Sequence, residues 1–124
     1  MKYKLKQRAY YLAINTIKYV AILDRKDTSV DVIVRQLIRS STSIGANIIE
    51  AQAASSKKDF ANFFRYALKS ANESKYWLML LNDLQKANRV QTTILLTETN
   101  EISKMLGASL RTLSASRPTI KKQA

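Results

Sequence analysis

The sequence contains no cysteine and no histidine. Without cysteine there is neither a disulfide framework nor a thiolate metal site, and without histidine the commonest general base and metal ligand are missing. Only two glycines and one proline occur in 124 residues, which permits long uninterrupted helices and argues against a turn-rich β fold. We therefore expect an all-α protein that is not an enzyme and holds no cofactor or metal.

Long apolar runs are also missing. The longest, such as 77–81, fall far short of the roughly 20 residues that a membrane-spanning helix needs. Nothing in the sequence resembles a signal peptide. The length of 124 residues fits one domain. We expect a single cytoplasmic domain without a membrane partner.

Acidic residues are few, and charge is the strongest compositional signal. Twenty-one lysines and arginines oppose nine acidic residues, which gives a formal net charge of +12. Solubility alone needs a net charge of magnitude about 2–8 in a small domain. The excess favours a polyanionic partner, first nucleic acid and then an acidic protein or anionic membrane. The alternative is a solvated basic surface without a specific partner.

Both termini share this basic character. The sequence predicts a basic N-terminal arm at about residues 1–5 and a basic C-terminal tail at about residues 115–124. Lysines in such segments can grip phosphates without reading base sequence. The simpler interpretation is that they only keep the chain in solution.

Two long segments carry strict seven-residue repeats. The first repeat consists of Val30, Val34, Leu37, Ser41, Ile44, Ile48 and Ala51. The second consists of Phe60, Phe64, Ala67, Ala71, Ser74, Leu78 and Leu81. Spacings of four and three place each set on one helical face and are typical of knobs-into-holes packing. The pattern predicts a hairpin of two long helices at the centre of the fold.

Similar periodicity extends over most of the chain. It predicts four helices, at about residues 5–23, 30–54, 57–85 and 91–113. Short connections between them predict an antiparallel up-down-up-down four-helix bundle. Thr28 or Ser29 is the expected cap of the second helix, and Ser56 with Asp59 resembles a capping box for the third.

Gly45 lies inside the second predicted helix, where glycine costs about 1 kcal/mol relative to alanine. A packing reason is therefore expected. Folding the hairpin about residue 55 places Ser41 near Lys69 and Gly45 near Arg65. In that register the small residues of the second helix lie at the level of Ala67 and Ala71 of the third helix, which would let the two backbones approach closely.

The outward faces of the hairpin carry the candidate binding residues. Arg35 and Arg39 lie one turn apart on the second helix. The outward face of the third helix carries Lys58, Arg65, Lys69 and Tyr76. A basic stripe that ends in an aromatic side chain can follow a phosphate backbone and stack a base. The same composition also describes a solvated helix face.

Glu98 and Glu101 are neighbouring acids on the fourth helix, but we expect an exposed helix there and no catalytic arrangement.

Apolar residues outside the predicted seams indicate an oligomer, unless packing within the bundle covers them. These residues are Ile38, Ile49, Tyr66, Tyr76 and Leu80.

Two motifs resemble a known family. Residues 35–51 read RQLIRSSTSIGANIIEA, and residues 59–78 continue with DF, ALKSANES and YWL at matching spacing. Both are similar to the family of four-helix bundle proteins also called 23S rRNA intervening-sequence proteins. The resemblance covers about residues 5–115. Arg39, Asn47, Glu50 and Glu73 occupy its motif positions.

The resemblance implies a four-helix bundle that assembles as a ring, a homopentamer. Together with the net charge of +12 and the outward basic stripe, it favours binding of nucleic acid, RNA rather than DNA. A related branch, the accessory variability protein of diversity-generating retroelements, binds nucleic acid and a reverse transcriptase. The alternative function is therefore that of a structural adaptor that docks a protein such as a reverse transcriptase.

Overall fold

A computed structural model describes the backbone of residues 2–116 and the side chains of residues 4–115. The chain forms four helices: α1 (Lys2–Val20), α2 (Thr28–Gln52), α3 (Lys57–Asp83) and α4 (Arg89–Ser116). No strand occurs within these residues. The predicted all-α four-helix bundle is confirmed.

Each helix packs against two neighbours. α2 lies between α1 and α3, and α4 completes the bundle by contacting both α3 and α1. α2 and α3 share the most extensive interface, as the two seven-residue repeats predicted. All of the α2 repeat positions are buried, and so are those of α3 except Phe60, which is partly buried. Because short turns join successive helices, neighbours run antiparallel.

The helix ends differ from the predicted bounds by a few residues. Asp27 caps α2, because its Oδ1 accepts the N–H groups of Ser29 at 2.9 Å and Val30 at 3.3 Å. The expected caps Thr28 and Ser29 are therefore the first helical residues. Ser56 caps α3 as predicted, and its Oγ accepts the Asp59 N–H at 3.1 Å.

α3 ends in a left-handed residue that is not glycine. Gln85 has a φ of 58°. Its N–H donates to the Asn82 carbonyl at 3.0 Å, and the Lys86 N–H donates to the Leu81 carbonyl at 3.0 Å. These two bonds form a Schellman motif, which satisfies carbonyls at the end of the helix. The motif turns the chain towards α4.

The predicted register between α2 and α3 is wrong. The hydroxyls of Ser40 and Ser74 lie 2.8 Å apart, whereas folding about residue 55 pairs Ser40 with residue 70. The turn between the helices offsets α3 along the bundle axis by about one helical turn, and a fold about a single residue ignores that offset.

The predicted role of Gly45 is also wrong. Gly45 faces α1, where a Cβ built on it would lie 3.6 Å from the Cβ of Ala9. The small residue that it meets therefore belongs to α1 and not to α3. The separation is that of an ordinary van der Waals contact.

Buried hydroxyls in the helix seams bond mostly within their own helix. The Thr99 hydroxyl donates to the Leu95 carbonyl at 2.7 Å, and that of Thr92 donates to the Asn88 carbonyl at 2.8 Å. Thr92 also accepts the hydroxyl of Tyr19 on α1, at 2.6 Å. These bonds satisfy polar groups that would otherwise be costly to bury.

The two predicted basic termini overlap the helices. Residues 2–5 form the first turn of α1, and residues 115 and 116 end α4. The rest of the predicted tail, residues 117–124, lies outside the described residues.

Candidate nucleic-acid interface

The predicted residues of α3 form one line along its exposed surface. Lys58, Arg65, Lys69 and Tyr76 are all exposed, and their spacings of seven, four and seven residues keep them on one face. At 1.5 Å per residue the line is about 27 Å long. Tyr76, which is 56% exposed, packs edge-on against Trp77 with ring centroids 5.0 Å apart. The line therefore presents three cations and an aromatic ring to a ligand.

Arg65 is the best-fixed cation of this line. Its Nη1 donates to Asn62 Oδ1 at 2.8 Å, one turn earlier in α3. The amide holds the guanidinium without neutralising it, because asparagine carries no charge. Arg65 thus remains available for a phosphate in a defined position.

Arg35 and Arg39 are exposed on α2, but Arg35 is not an independent cation. Its Nε donates to Asp31 Oδ2 at 3.0 Å, and Arg25 donates to the other oxygen of the same carboxylate at 2.6 Å. Hydrogen bonds from Arg25 and then Arg35 lower the pKa of Asp31, so the carboxylate stays charged. Two arginines share one negative charge, which leaves a net positive charge at this corner.

The structure does not bring the α2 and α3 sets together. Arg35 lies beside the α1–α2 turn, because it shares Asp31 with Arg25 of that turn. Lys58 and Arg65 lie on the other side of the hairpin, where they line a groove together with α4. Arg35 is therefore separated on the surface from Lys58 and Arg65.

The groove between α3 and α4 was not predicted from the sequence. It has a volume of about 440 Å³ and runs between the start of α3 and the end of α4. Besides Lys58 and Arg65, it is lined by Leu110, Leu113 and Ser114 of α4. The only sequence signal for it is the antiparallel connectivity, which places the end of α4 beside the start of α3.

A second, apolar line lies beside the core on α3. Phe63, Tyr66, Trp77 and Leu80 each lie one position before a residue of the core repeat. They form two pairs, and the polar residues Ser70 and Glu73 occupy the two equivalent positions between the pairs. Tyr66 is 51% exposed and meets Phe63 edge-on, and Glu73 accepts the Trp77 indole N–H at 3.4 Å. We call these four residues the aromatic stripe.

The predicted oligomer residues have mixed positions. Ile49, Tyr66 and Tyr76 are about half exposed, whereas Ile38 and Leu80 pack partly against the core. Packing within the bundle therefore covers some of these side chains.

Asn47 occupies a motif position of the family resemblance. Its side-chain amide donates to the Ser43 carbonyl at 2.9 Å, within α2.

The sequence predicts an exposed Glu98, but in the structure this side chain is partly buried and paired. Its carboxylate accepts two bonds from Arg8 of α1, from Nη2 at 2.6 Å and from Nε at 2.8 Å. The hydrogen bond to Glu98 raises the pKa of the Arg8 guanidinium. The paired carboxylate connects α1 to α4, and Glu101 instead meets Lys104 at 3.6 Å.

Within residues 2–116, no helix is long and apolar enough to cross a membrane. In the same range, no three or more acidic, histidine or cysteine side chains are grouped so that they could hold a metal ion.

Fold and surface together define a basic all-α four-helix bundle. The family model described as 23S rRNA-intervening sequence protein matches residues 1–108. The chain therefore belongs to the 23S rRNA-intervening sequence protein family, and the resemblance seen in its motifs is confirmed.

A solved structure agrees with this assignment. It is the crystal structure of a protein with unknown function from the S23 ribosomal protein family, from Bacteroides thetaiotaomicron VPI-5482. That protein is 36% identical, with a TM-score of 0.79, over 86% of this chain and 97% of the other. Comparison with curated proteins gave no match.

Proposed function

We propose that this protein binds nucleic acid, RNA rather than DNA, through the exposed basic residues of α3 and α2. The observation that carries the proposal is the net charge of +12, combined with the line of Lys58, Arg65 and Lys69 on the outside of the bundle. Clustered cations on one face are the electrostatic footprint of a nucleic-acid-binding protein. Membership of the 23S rRNA-intervening sequence protein family supports RNA as the ligand.

The test is fluorescence anisotropy with a structured RNA across a salt series. The logarithm of affinity should fall with the logarithm of salt by about 0.9 per phosphate contact in a duplex and about 0.7 in a single strand. A variant with alanine at Arg35, Arg39, Arg65 and Lys69 should bind more weakly and show a smaller slope. A parallel series with DNA of the same sequence tests the preference for RNA.

The matched control removes the same number of charges from other exposed positions. Its four alanine substitutions are at Lys18, Lys26, Arg89 and Lys104. If both variants lose affinity equally, the effect is one of net charge alone and the proposed faces are wrong. If the wild-type protein shows no salt-sensitive affinity for RNA or DNA, the proposed function fails.

The same proposal includes a homo-oligomer, the homopentamer that the family resemblance implies. The aromatic stripe supports it, because Tyr66 is 51% exposed and the apolar side chains of the stripe lie beside the core seam, where a further helix could cover them. Native mass spectrometry should show five copies. Tyr66→Glu should dissociate them, whereas Tyr11→Glu, at a tyrosine 59% exposed on α1, should not.

The aromatic stripe also favours one alternative, an adaptor that docks a protein partner such as a reverse transcriptase. Capture from the host with and without nuclease separates the two functions. A partner that remains after nuclease treatment, with no RNA affinity in the purified protein, would favour the adaptor.

A further inference from the structure

We propose that the groove between the start of α3 and the end of α4 receives an unpaired nucleotide of the bound nucleic acid. The inference rests on the proposed function and makes it specific. It assigns the phosphates to Lys58 and Arg65 and the base to the apolar floor between them.

The chemistry of the groove has two parts. Lys58 and Arg65 stand on its α3 side, about 10 Å apart along the helix because seven residues separate them. The floor consists of Ala61, Leu110 and Leu113, which offer carbon surface and no charge. A basic edge on α3 beside an apolar floor suits a ligand that is anionic along its backbone and flat and apolar on its base faces.

The groove has the size and charge for such a ligand. Its volume of about 440 Å³ lies within the range of small-molecule sites, roughly 300–1,000 Å³. Among the described residues that line it, three are cationic, namely Lys57, Lys58 and Arg65, and none is acidic.

The apolar floor distinguishes unpaired from paired nucleic acid. A duplex keeps its bases in the stack and presents mainly phosphates and sugars to a helical surface. Only an unstacked base can place its face on Leu110 and Leu113 while the adjoining phosphates reach the cations. The groove therefore predicts a preference for single-stranded segments or loops, whereas the basic line of α3 alone predicts none.

Arg65 contributes position as well as charge. Its bond to Asn62 at 2.8 Å fixes the guanidinium beside the groove before a ligand arrives. Asn62 lines the groove too. Preorganisation of this kind reduces the entropy lost on binding.

The experiment uses the full-length protein and an unstructured RNA of about twelve nucleotides with 2-aminopurine at its centre. Anisotropy reports binding, and 2-aminopurine emission reports whether the base leaves the stack. The matching duplex and a DNA version of both are run in parallel. We expect tighter binding of the single strands and brighter emission on binding.

One substitution addresses the groove without touching the core. Ser114 is exposed and lines the groove, so Ser114→Glu places a negative charge where the phosphates would lie. The matched control is Ala115→Glu, at the neighbouring exposed residue, which does not line the groove. We expect a loss of affinity of about fivefold for Ser114→Glu and less than about twofold for Ala115→Glu, since only the former opposes the bound phosphates.

The outcomes separate the two proposals. Salt-sensitive binding with no preference for single strands, or with equal effects of the two glutamates, would overturn the groove assignment and leave the proposed function intact. Unchanged 2-aminopurine emission on binding would also overturn it. Absence of binding to every oligonucleotide would overturn both, and binding of a polyglutamate peptide instead would assign the groove to an acidic protein partner.

Discussion

Gly45→Ala tests how closely α1 and α2 approach each other. A glycine in the middle of a helix costs about 1 kcal/mol relative to alanine, because it loses more backbone entropy on folding. The new Cβ would lie 3.6 Å from the Cβ of Ala9, and 3.8 and 3.9 Å from its carbonyl carbon and oxygen. These are ordinary contact distances, so no overpacking cost offsets the gain. We expect the free energy of unfolding to rise by about 0.5–1 kcal/mol.

The assay is urea denaturation followed by circular dichroism at 222 nm. All variants are compared at one protein concentration, because association would add to the apparent stability. Gly107→Ala is the matched control, since its Cβ would meet only Arg111 Nη1, at 3.5 Å, within the limits of contact. We expect a similar gain there, which would show that propensity alone explains both effects.

A loss of stability in Gly45→Ala would refute this reasoning, provided that Gly107→Ala gains. It would mean that α1 and α2 lie closer than described and that Gly45 is required for packing. A gain in both variants would instead show that the fold does not need a glycine at residue 45.

Three further variants test other features of the fold. Burial raises the pKa of Tyr19 above its ordinary 10.0, so the unfolded chain loses this proton first and the free energy of unfolding falls as pH rises above 10. Tyr19→Phe should show a smaller fall in urea titrations from pH 9 to 11. Identical profiles for the variant and the wild type would contradict the burial of the Tyr19 hydroxyl. Gln85→Gly should raise the free energy of unfolding by about 1 kcal/mol, because glycine adopts a positive φ without steric cost, and a loss would count against the Schellman motif. A double-mutant cycle on Arg8 and Glu98, with alanine at each, should give a coupling free energy of about 1 kcal/mol. A value below about 0.3 kcal/mol would show that the bidentate ion pair between the two side chains is not formed in solution.

The four helices could be predicted from the sequence because their information is local. The repeat that includes Leu37 and Ile48 fixes the buried face of α2, and Ser56 caps α3 by accepting the N–H of Asp59, only three residues along the chain. Asp27 was missed as a cap because Thr28 and Ser29, which stand next to it, are equally good candidates by residue type. Such errors move a helix end by one or two residues and leave the fold unchanged.

The relations between helices could not be predicted in the same way. The Ser40–Ser74 pairing depends on the axial offset that the turn between α2 and α3 creates. The contact of Arg8 with Glu98 joins residues 90 positions apart, and no local pattern connects them. Both are properties of the assembled bundle.

The candidate site shows the same division. A helical repeat predicts that Arg39 and Lys69 point outward, and both are exposed. It does not say which neighbouring helix lies to the left or right, since that depends on the handedness of the bundle. The separation of Arg35 from Lys58, and the groove that Lys58 forms with Leu110, therefore required the structure.

The buried hydroxyls have a consequence for how this sequence can change over evolutionary time. Thr99 and Ser41 each donate to a carbonyl one turn back in their own helix, so their hydroxyls make few demands on the neighbouring helix, unlike that of Thr92, which also bonds Tyr19 of α1. A substitution across the seam then seldom strands a buried hydroxyl, and compensating changes in a second helix are rarely needed. Seams built in this way allow helices to diverge independently while the bundle persists, which is consistent with a shared fold at 36% identity to the Bacteroides protein.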